Sequence, residues 1–165
     1  MKKKSTKLTI NTSFDVYASA TDLPDNEQDL LAKAKKAVKA AYAPYSGFHV
    51  GAAILLANGK IVAGNNQENA AYPSGLCAER VALFYAHAQY PGVPVQTIAI
   101  SVKSGTQVIT EPVSPCGACR QVIAEYESLH AQPIRILMSG ETGKVYASES
   151  IENLLPLVFN KKHLK

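Results

Sequence analysis

Apolar residues recur at three-to-four spacing from Leu30 through Leu31, Ala34 and Val38 to Ala41, marking one face of a helix. Asp25 is placed to cap it, and Ala43-Pro44-Tyr45-Ser46-Gly47 stops it. The pattern then turns extended. Phe48 to Leu56 and Lys60 to Gly64 flank Ala57-Asn58-Gly59, whose Asn-Gly step predicts a tight hairpin. A loop from Asn65 to Leu76 leads to a second helix, Cys77 to about Ala88. In Gln96 to Lys103, Ile98, Ile100 and Val102 alternate with Thr97, Ala99 and Ser101, as in a buried strand. The linker Glu111-Pro112-Val113-Ser114-Pro115 ends at a third helix, Cys116 to about Leu129. Strands over Ile134 to Met138 and Val145 to Ala147 follow, with Gly140 and Gly143 at the turn between them, and Ser148 to Leu155 reads as a helix start. The order α-β-β-α-β-α-β-β-α predicts an α/β fold with helices on the faces of a sheet.

Composition narrows this picture. At 165 residues the chain fills one core, expected over 25–165, with the polar residues 1–24 expected as a flexible N-terminal extension. Apolar runs such as Val50 to Ala57 are far short of a membrane span, and no apolar stretch follows Met1-Lys2-Lys3-Lys4 as a signal peptide requires. The net charge of +4 suggests a polyanion partner until its distribution is considered. Lys2, Lys3, Lys4, Lys7, Lys161, Lys162 and Lys165 sit at the two ends, which leaves ten of the 17 basic residues against 13 acidic ones. A mildly acidic body offers no phosphate track, so neither nucleic acid nor a membrane is expected as partner. Three cysteines in an untargeted chain fit the reducing cytoplasm.

Those cysteines carry the chemistry. Cys77-Ala78-Glu79-Arg80 and Pro115-Cys116-Gly117-Ala118-Cys119-Arg120 both fall at predicted helix starts. There, unpaired N–H groups and the helix dipole favour thiolates. Cys116 and Cys119 lie one turn apart and share a helix face. Taken alone, Cys-x-x-Cys leaves a redox pair and a metal site both open. Cys77 and the neighbouring Glu79 turn the balance to zinc with an open fourth position, the arrangement that activates water. Glu79 is the candidate general acid/base. Arg80 and Arg120 each follow the functional residues of a motif, where they either donate to the sulfurs or stand as solvated helix residues. Zinc deaminases of nucleic-acid bases are the established instance of a non-ligand glutamate paired with Pro-Cys-x-x-Cys.

With Ala43-Pro44-Tyr45-Ser46, Phe48-His49-Val50-Gly51-Ala52-Ala53 and Gly64-Asn65-Asn66-Gln67-Glu68-Asn69-Ala70-Ala71-Tyr72 added to the two cysteine motifs, the chain resembles cytidine deaminases of the small homotetrameric type from about residue 27 to Phe159. The resemblance implies a three-layer α/β/α cytidine deaminase-like fold with a mixed five-stranded sheet and one Zn2+ per subunit, held by Cys77, Cys116 and Cys119. It implies hydrolytic deamination of free pyrimidine nucleosides, cytidine and 2′-deoxycytidine, to uridine and 2′-deoxyuridine with release of ammonia. By the same resemblance, Asn66 and Glu68 hold the ribose hydroxyls, Phe48 packs against the substrate, and the Ala78 N–H meets the base carbonyl. Glu79 protonates N3 and later serves the departing ammonia. Ala70, Tyr72 and Phe159 reach a neighbouring subunit's site, making a homotetramer with shared active sites. Read from the residues alone, Asn66 and Glu68 equally suit a polar turn, Phe48 a core position and Phe159 a docked tail. His49, Asn65 and Gln67 depart from the family pattern. The alternatives are a zinc-dependent deaminase of another cytosine-containing nucleoside, such as a nucleoside antibiotic, and a silent zinc or RNA-binding module, for which Glu79 has little use.

Overall fold

The computed structural model describes residues 5–164, so Lys2, Lys3, Lys4 and Lys165 of the basic ends lie outside the described residues. Its elements run β1 (Asp15–Tyr17), α1 (Asp25–Val38), β2 (Phe48–Leu56), β3 (Ile61–Asn65), α2 (Ala78–Gln89), β4 (Val95–Ser104), α3 (Gly117–His130), β5 (Arg135–Ser139) and β6 (Val145–Ser148). The sheet order is β1-β6-β5-β4-β2-β3. β4 and β5 are parallel across the α3 connection, and every other pair is antiparallel.

Alternation along the central strands sorts their side chains onto two faces. Ala52, Ile54, Ile98, Ile100, Ile136 and Met138 pack under α2 and α3 with Ala82, Leu83 and Ile123. Ala53, Ala99 and Leu137 meet Leu30, Leu31 and Ala34 of α1 on the other face. The result is the expected three-layer α/β/α arrangement with a mixed sheet. Glycine lets helices sit close to it at two points. A Cβ on Gly51 would lie 2.2 Å from Ala34 O of α1, and one on Gly64 would lie 2.7 Å from Ala82 N of α2.

Three local expectations are corrected. The five expected strands are β2 to β6, and β1 from the N-terminal extension adds a sixth by pairing Asp15, Val16 and Tyr17 with Ala147, Tyr146 and Val145. The extension is therefore tied to the sheet edge rather than free along its length. Pro24, not Asp25, is the N-cap of α1, while Asp25 and Glu27 lie in its first turn, where acidic groups complement the dipole. The helix expected after Ser148 is a single 3-10 turn, Ile151–Asn153. Glu127 accepts the Ile151 N–H at 3.0 Å, and Pro156 disfavours helical backbone at Leu155, so the turn does not propagate. No helix among the described residues is long and apolar enough to cross a membrane.

Candidate metal centre and its cavity

Two helix starts converge at one end of the sheet. Cys77 is the N-cap of α2, Cys116 is the N-cap of α3, and Cys119 lies in the first turn of α3, fully buried. The first intrahelical bonds run from Val81 N to Cys77 O and from Arg120 N to Cys116 O. Earlier N–H groups of each helix, Ala78 N among them, have no carbonyl of their own helix to meet. The three sulfurs lie within 4.8 Å of one another, with Cys77 and Cys116 3.7 Å apart. Tetrahedral zinc with Zn–S bonds of about 2.3 Å sets its sulfurs about 3.8 Å apart, so this donor set fits a zinc ion. No His, Asp or Glu joins the cluster among the described residues, which leaves one coordination position open.

Electrostatics favour the ionised form at Cys77. A hydrogen bond from the Cys119 thiol, together with Arg80 and Cys116, holds the Cys77 thiol down to about 5 against the opposing effect of burial. Cys119 is raised in turn by that bond and by its own burial. Arg80 Nη2 lies 3.7 Å from Cys77 Sγ, so Arg80 does donate to a ligand sulfur. Arg120 does not share that placement. Its Nε donates to Pro115 O at 2.8 Å, Nη1 to Leu154 O at 3.0 Å and Nη2 to Ser114 Oγ at 2.9 Å. With every nitrogen engaged, Arg120 fixes the segment leading into Cys116 and ties it to the C-terminal region.

Beside the sulfurs opens a cavity of about 650 Å³, lined among others by Phe48, Asn66, Glu68, Tyr72, Cys77, Glu79, Arg80 and Cys116. Glu79 is 3% exposed, and its burial raises the carboxyl above the usual carboxylate range, with the charge on Cys77 adding to the effect. Asn66, also in the lining, is anchored to the backbone of β2. Its Oδ1 accepts from Val50 N at 2.7 Å and its Nδ2 donates to Phe48 O at 2.9 Å. One amide hydrogen and one lone pair remain for a ligand. Glu68 accepts from the Ser46 hydroxyl and from Tyr45 N at 2.9 Å, and these bonds lower its carboxyl below the ordinary value. Tyr45, Ser46 and Ser114 line the cavity although no role was assigned to them from sequence; the signal for the first two was their place in the Ala43-Pro44-Tyr45-Ser46 motif.

The remaining candidates lie apart. Ala78 is fully buried and Ala70 is exposed, and neither is in the cavity lining. Phe159 is 56% exposed, with its ring stacked on His163 at 5.5 Å and its carbonyl accepting from Gln121. The structure thus gathers Phe48, Asn66, Glu68, Tyr72, Glu79 and the sulfurs in one place, and Ala70 and Phe159 do not join them within the chain.

Three cysteines clustered at two helix starts on an α/β/α sheet, with a buried glutamate beside them, define a metallohydrolase of the deaminase type. Residues 24–131 match the cytidine and deoxycytidylate deaminase zinc-binding region, and the chain belongs to that family. It is 38% identical over 139 residues to a cytidine deaminase of Halalkalibacterium halodurans, covering 84% of this chain and 98% of the relative. It is 42% identical over 137 residues to one of Sporosarcina psychrophila, covering 83% and 93%. The crystal structure of cytidine deaminase from Burkholderia pseudomallei superposes with a TM-score of 0.70 at 38% identity, covering 83% of this chain and all of that one.

Proposed function

We propose that this protein hydrolyses cytidine and 2′-deoxycytidine to uridine and 2′-deoxyuridine, releasing one ammonia per nucleoside. The observation that carries the reading is one cavity beside the three-sulfur cluster that buried Glu79, Asn66 and Glu68 line together. The volume of about 650 Å³ suits a nucleoside bound with its base toward the sulfurs and its ribose toward Asn66 and Glu68. Zinc held by Cys77, Cys116 and Cys119 would supply the Lewis acidity that activates water for attack on C4.

The chain's own groups do the rest. Glu79 takes a proton from the attacking water and delivers it to N3, then moves the remaining hydroxyl proton to the amino group, so that the C4–N bond breaks, ammonia leaves and C4 becomes a carbonyl. Its raised affinity for protons suits it to hold one between these transfers. Arg80, donating to Cys77, offsets surplus negative charge on the sulfurs. Ala78 N–H, free of an intrahelical acceptor, orients the base carbonyl. Phe48 packs on the substrate and Glu68, kept ionised by Ser46 and Tyr45, accepts from a ribose hydroxyl.

The ring of Phe159, 56% exposed, supports a homotetramer in which Phe159 and Ala70 complete a neighbouring site, whereas Tyr72 lines the cavity of its own chain. In that assembly Phe159→Ala raises the KM for cytidine while zinc content stays at one per chain. An unchanged KM and unchanged oligomer size would remove the shared site. Three unpaired cysteines support a cytoplasmic location.

The decisive experiment follows absorbance loss for cytidine and 2′-deoxycytidine, with ammonia and zinc quantified in the same sample. Turnover with equal ammonia and one zinc per chain is the expected result. A zinc-loaded protein inert on both nucleosides would move the substrate to a modified cytosine nucleoside.

A further inference from the structure

On the opposite face of the sheet from the metal centre, a second cavity of about 480 Å³ opens between the end of α1 and the strands β2 and β4. Lys35 and Lys39, one helical turn apart, line its α1 side, while His49 of β2 and Lys103 of β4 line its sheet side. His49 and Lys103 are direct cross-strand partners, so they project together. His49 Nδ1 lies 3.1 Å from Gly47 O; a proton on Nδ1 serves that carbonyl and leaves Nε2 for another partner.

Glu141 is the one carboxylate lining the cavity among the described residues. It pairs with Lys103 Nζ at 3.6 Å, with 60% of the lysine side chain and 29% of the glutamate exposed. Such pairs contribute little and yield readily to a stronger anion. Three ammonium groups against one carboxylate make the lining positive within a body where acidic residues outnumber basic ones. Lysine near a helix C-terminus complements the dipole, which accounts for Lys35 in the last turn of α1 and Lys39 at its C-cap. It does not account for His49 of β2 and Lys103 of β4 lining the same cavity from the sheet side.

We propose that this cavity is a second binding site, distinct from the metal centre, for a small phosphorylated metabolite held by its phosphate. Lysine ammoniums are point-charge donors suited to phosphate oxygens. The volume lies within the range of small-molecule sites, about 300–1,000 Å³, and exceeds what inorganic phosphate fills, so an organic portion also fits. β2 and β4 separate the two cavities. Phe48, Val50 and Ile100 line the first, His49, Ser101 and Lys103 line the second, and Val102 touches both.

The test is calorimetric titration of zinc-loaded protein with inorganic phosphate and ribose 5-phosphate at constant ionic strength, with ribose as control. Both phosphates should bind saturably and ribose should not. Lys35→Met and Lys103→Met should each weaken ribose 5-phosphate at least tenfold with zinc content unchanged, while Lys103→Arg retains binding. Absence of saturable phosphate binding, ribose binding as tightly as its phosphate, or lysine variants that bind like the parent protein would each overturn the site. None of these readouts depends on deaminase turnover.

Discussion

Glu79 and Glu68 line the same cavity, and their surroundings move them in opposite directions. Burial beside the sulfurs raises Glu79, whereas donors from Ser46 and Tyr45 lower Glu68. The first is suited to carrying a proton and the second to remaining an acceptor. Glu79→Gln keeps its shape but has no carboxylate to accept a proton, so zinc should stay bound while kcat falls at least about 10²–10⁴-fold. Metal content measured beside turnover separates that result from loss of the ion; substantial residual turnover would strip Glu79 of its assigned role. For Glu68 the sign follows from its donors. They stabilise the ionised form, so their loss lets the carboxyl rise back toward 4.5. In Ser46→Ala the acid-side rise in KM for cytidine should begin at a higher pH than in the parent enzyme. A pH profile that does not move would show that Ser46 does not govern Glu68.

At the level of elements, the three-sulfur cluster exists because α2 and α3 begin at the same place, and the packing of α2 on the sheet sets half of it. Gly64 of β3 allows that approach: an added Cβ would meet Ala82 N at 2.7 Å and Ala78 O at 3.0 Å, both rigid helix backbone. Gly64→Ala should therefore cost about 1–3 kcal/mol. It should also lower zinc affinity, because displacement of α2 carries Cys77 and Glu79 with it. Denaturation midpoints and chelator competition check the two effects; a destabilised variant with unaltered zinc affinity would mean that α2 moves without its first turn. Much of this arrangement was legible in the sequence. Helical spacing located α1, the loop and the proline-bearing linker before the cysteine motifs located α2 and α3, and the Asn-Gly turn located the β2–β3 hairpin, each to within a few residues because each is a local pattern. The cysteines at helix starts were legible for the same reason. The grip of Ser46 on Glu68 spans 22 positions and that of Arg120 on Leu154 spans 34, so neither leaves a local trace. Arg120 follows Cys119 just as Arg80 follows Glu79, yet their guanidiniums reach different partners. Sequence adjacency placed both arginines near the sulfurs and could not say which one donates to them.

For the whole molecule, the least legible feature is how the N-terminal extension joins the body. β1 is only three residues long, and Val16 within it is 60% exposed, so its apolar pattern gives little signal of burial. What fixes it is Arg135 of β5, a residue 120 positions away from Asp15. Its Nε donates to Glu27 of α1 at 2.7 Å, its Nη2 to the Tyr17 hydroxyl at 3.1 Å, and its Nη1 meets Glu149 and, at 3.4 Å, Asp15. One guanidinium thus joins β1, α1, β5 and the residue following β6. The Arg135 and Glu27 side chains are 17% and 11% exposed, so their pair is not a surface pair. Arg135→Met leaves Glu27 shielded from water without its partner, which should cost about 3–5 kcal/mol. The Asp15 and Tyr17 contacts disappear with it, and hydrogen exchange at the amides of 15–17 should accelerate beyond what the global loss explains. Adding Glu27→Gln to Arg135→Met should recover part of the stability by removing the stranded charge, but it restores no contact to β1, so fast exchange there should persist. A single-variant loss below about 1 kcal/mol would place the junction among ordinary exposed ion pairs. It would also leave β1 held by its pairing with β6 and by the packing of Tyr17 against the α1 side of the sheet.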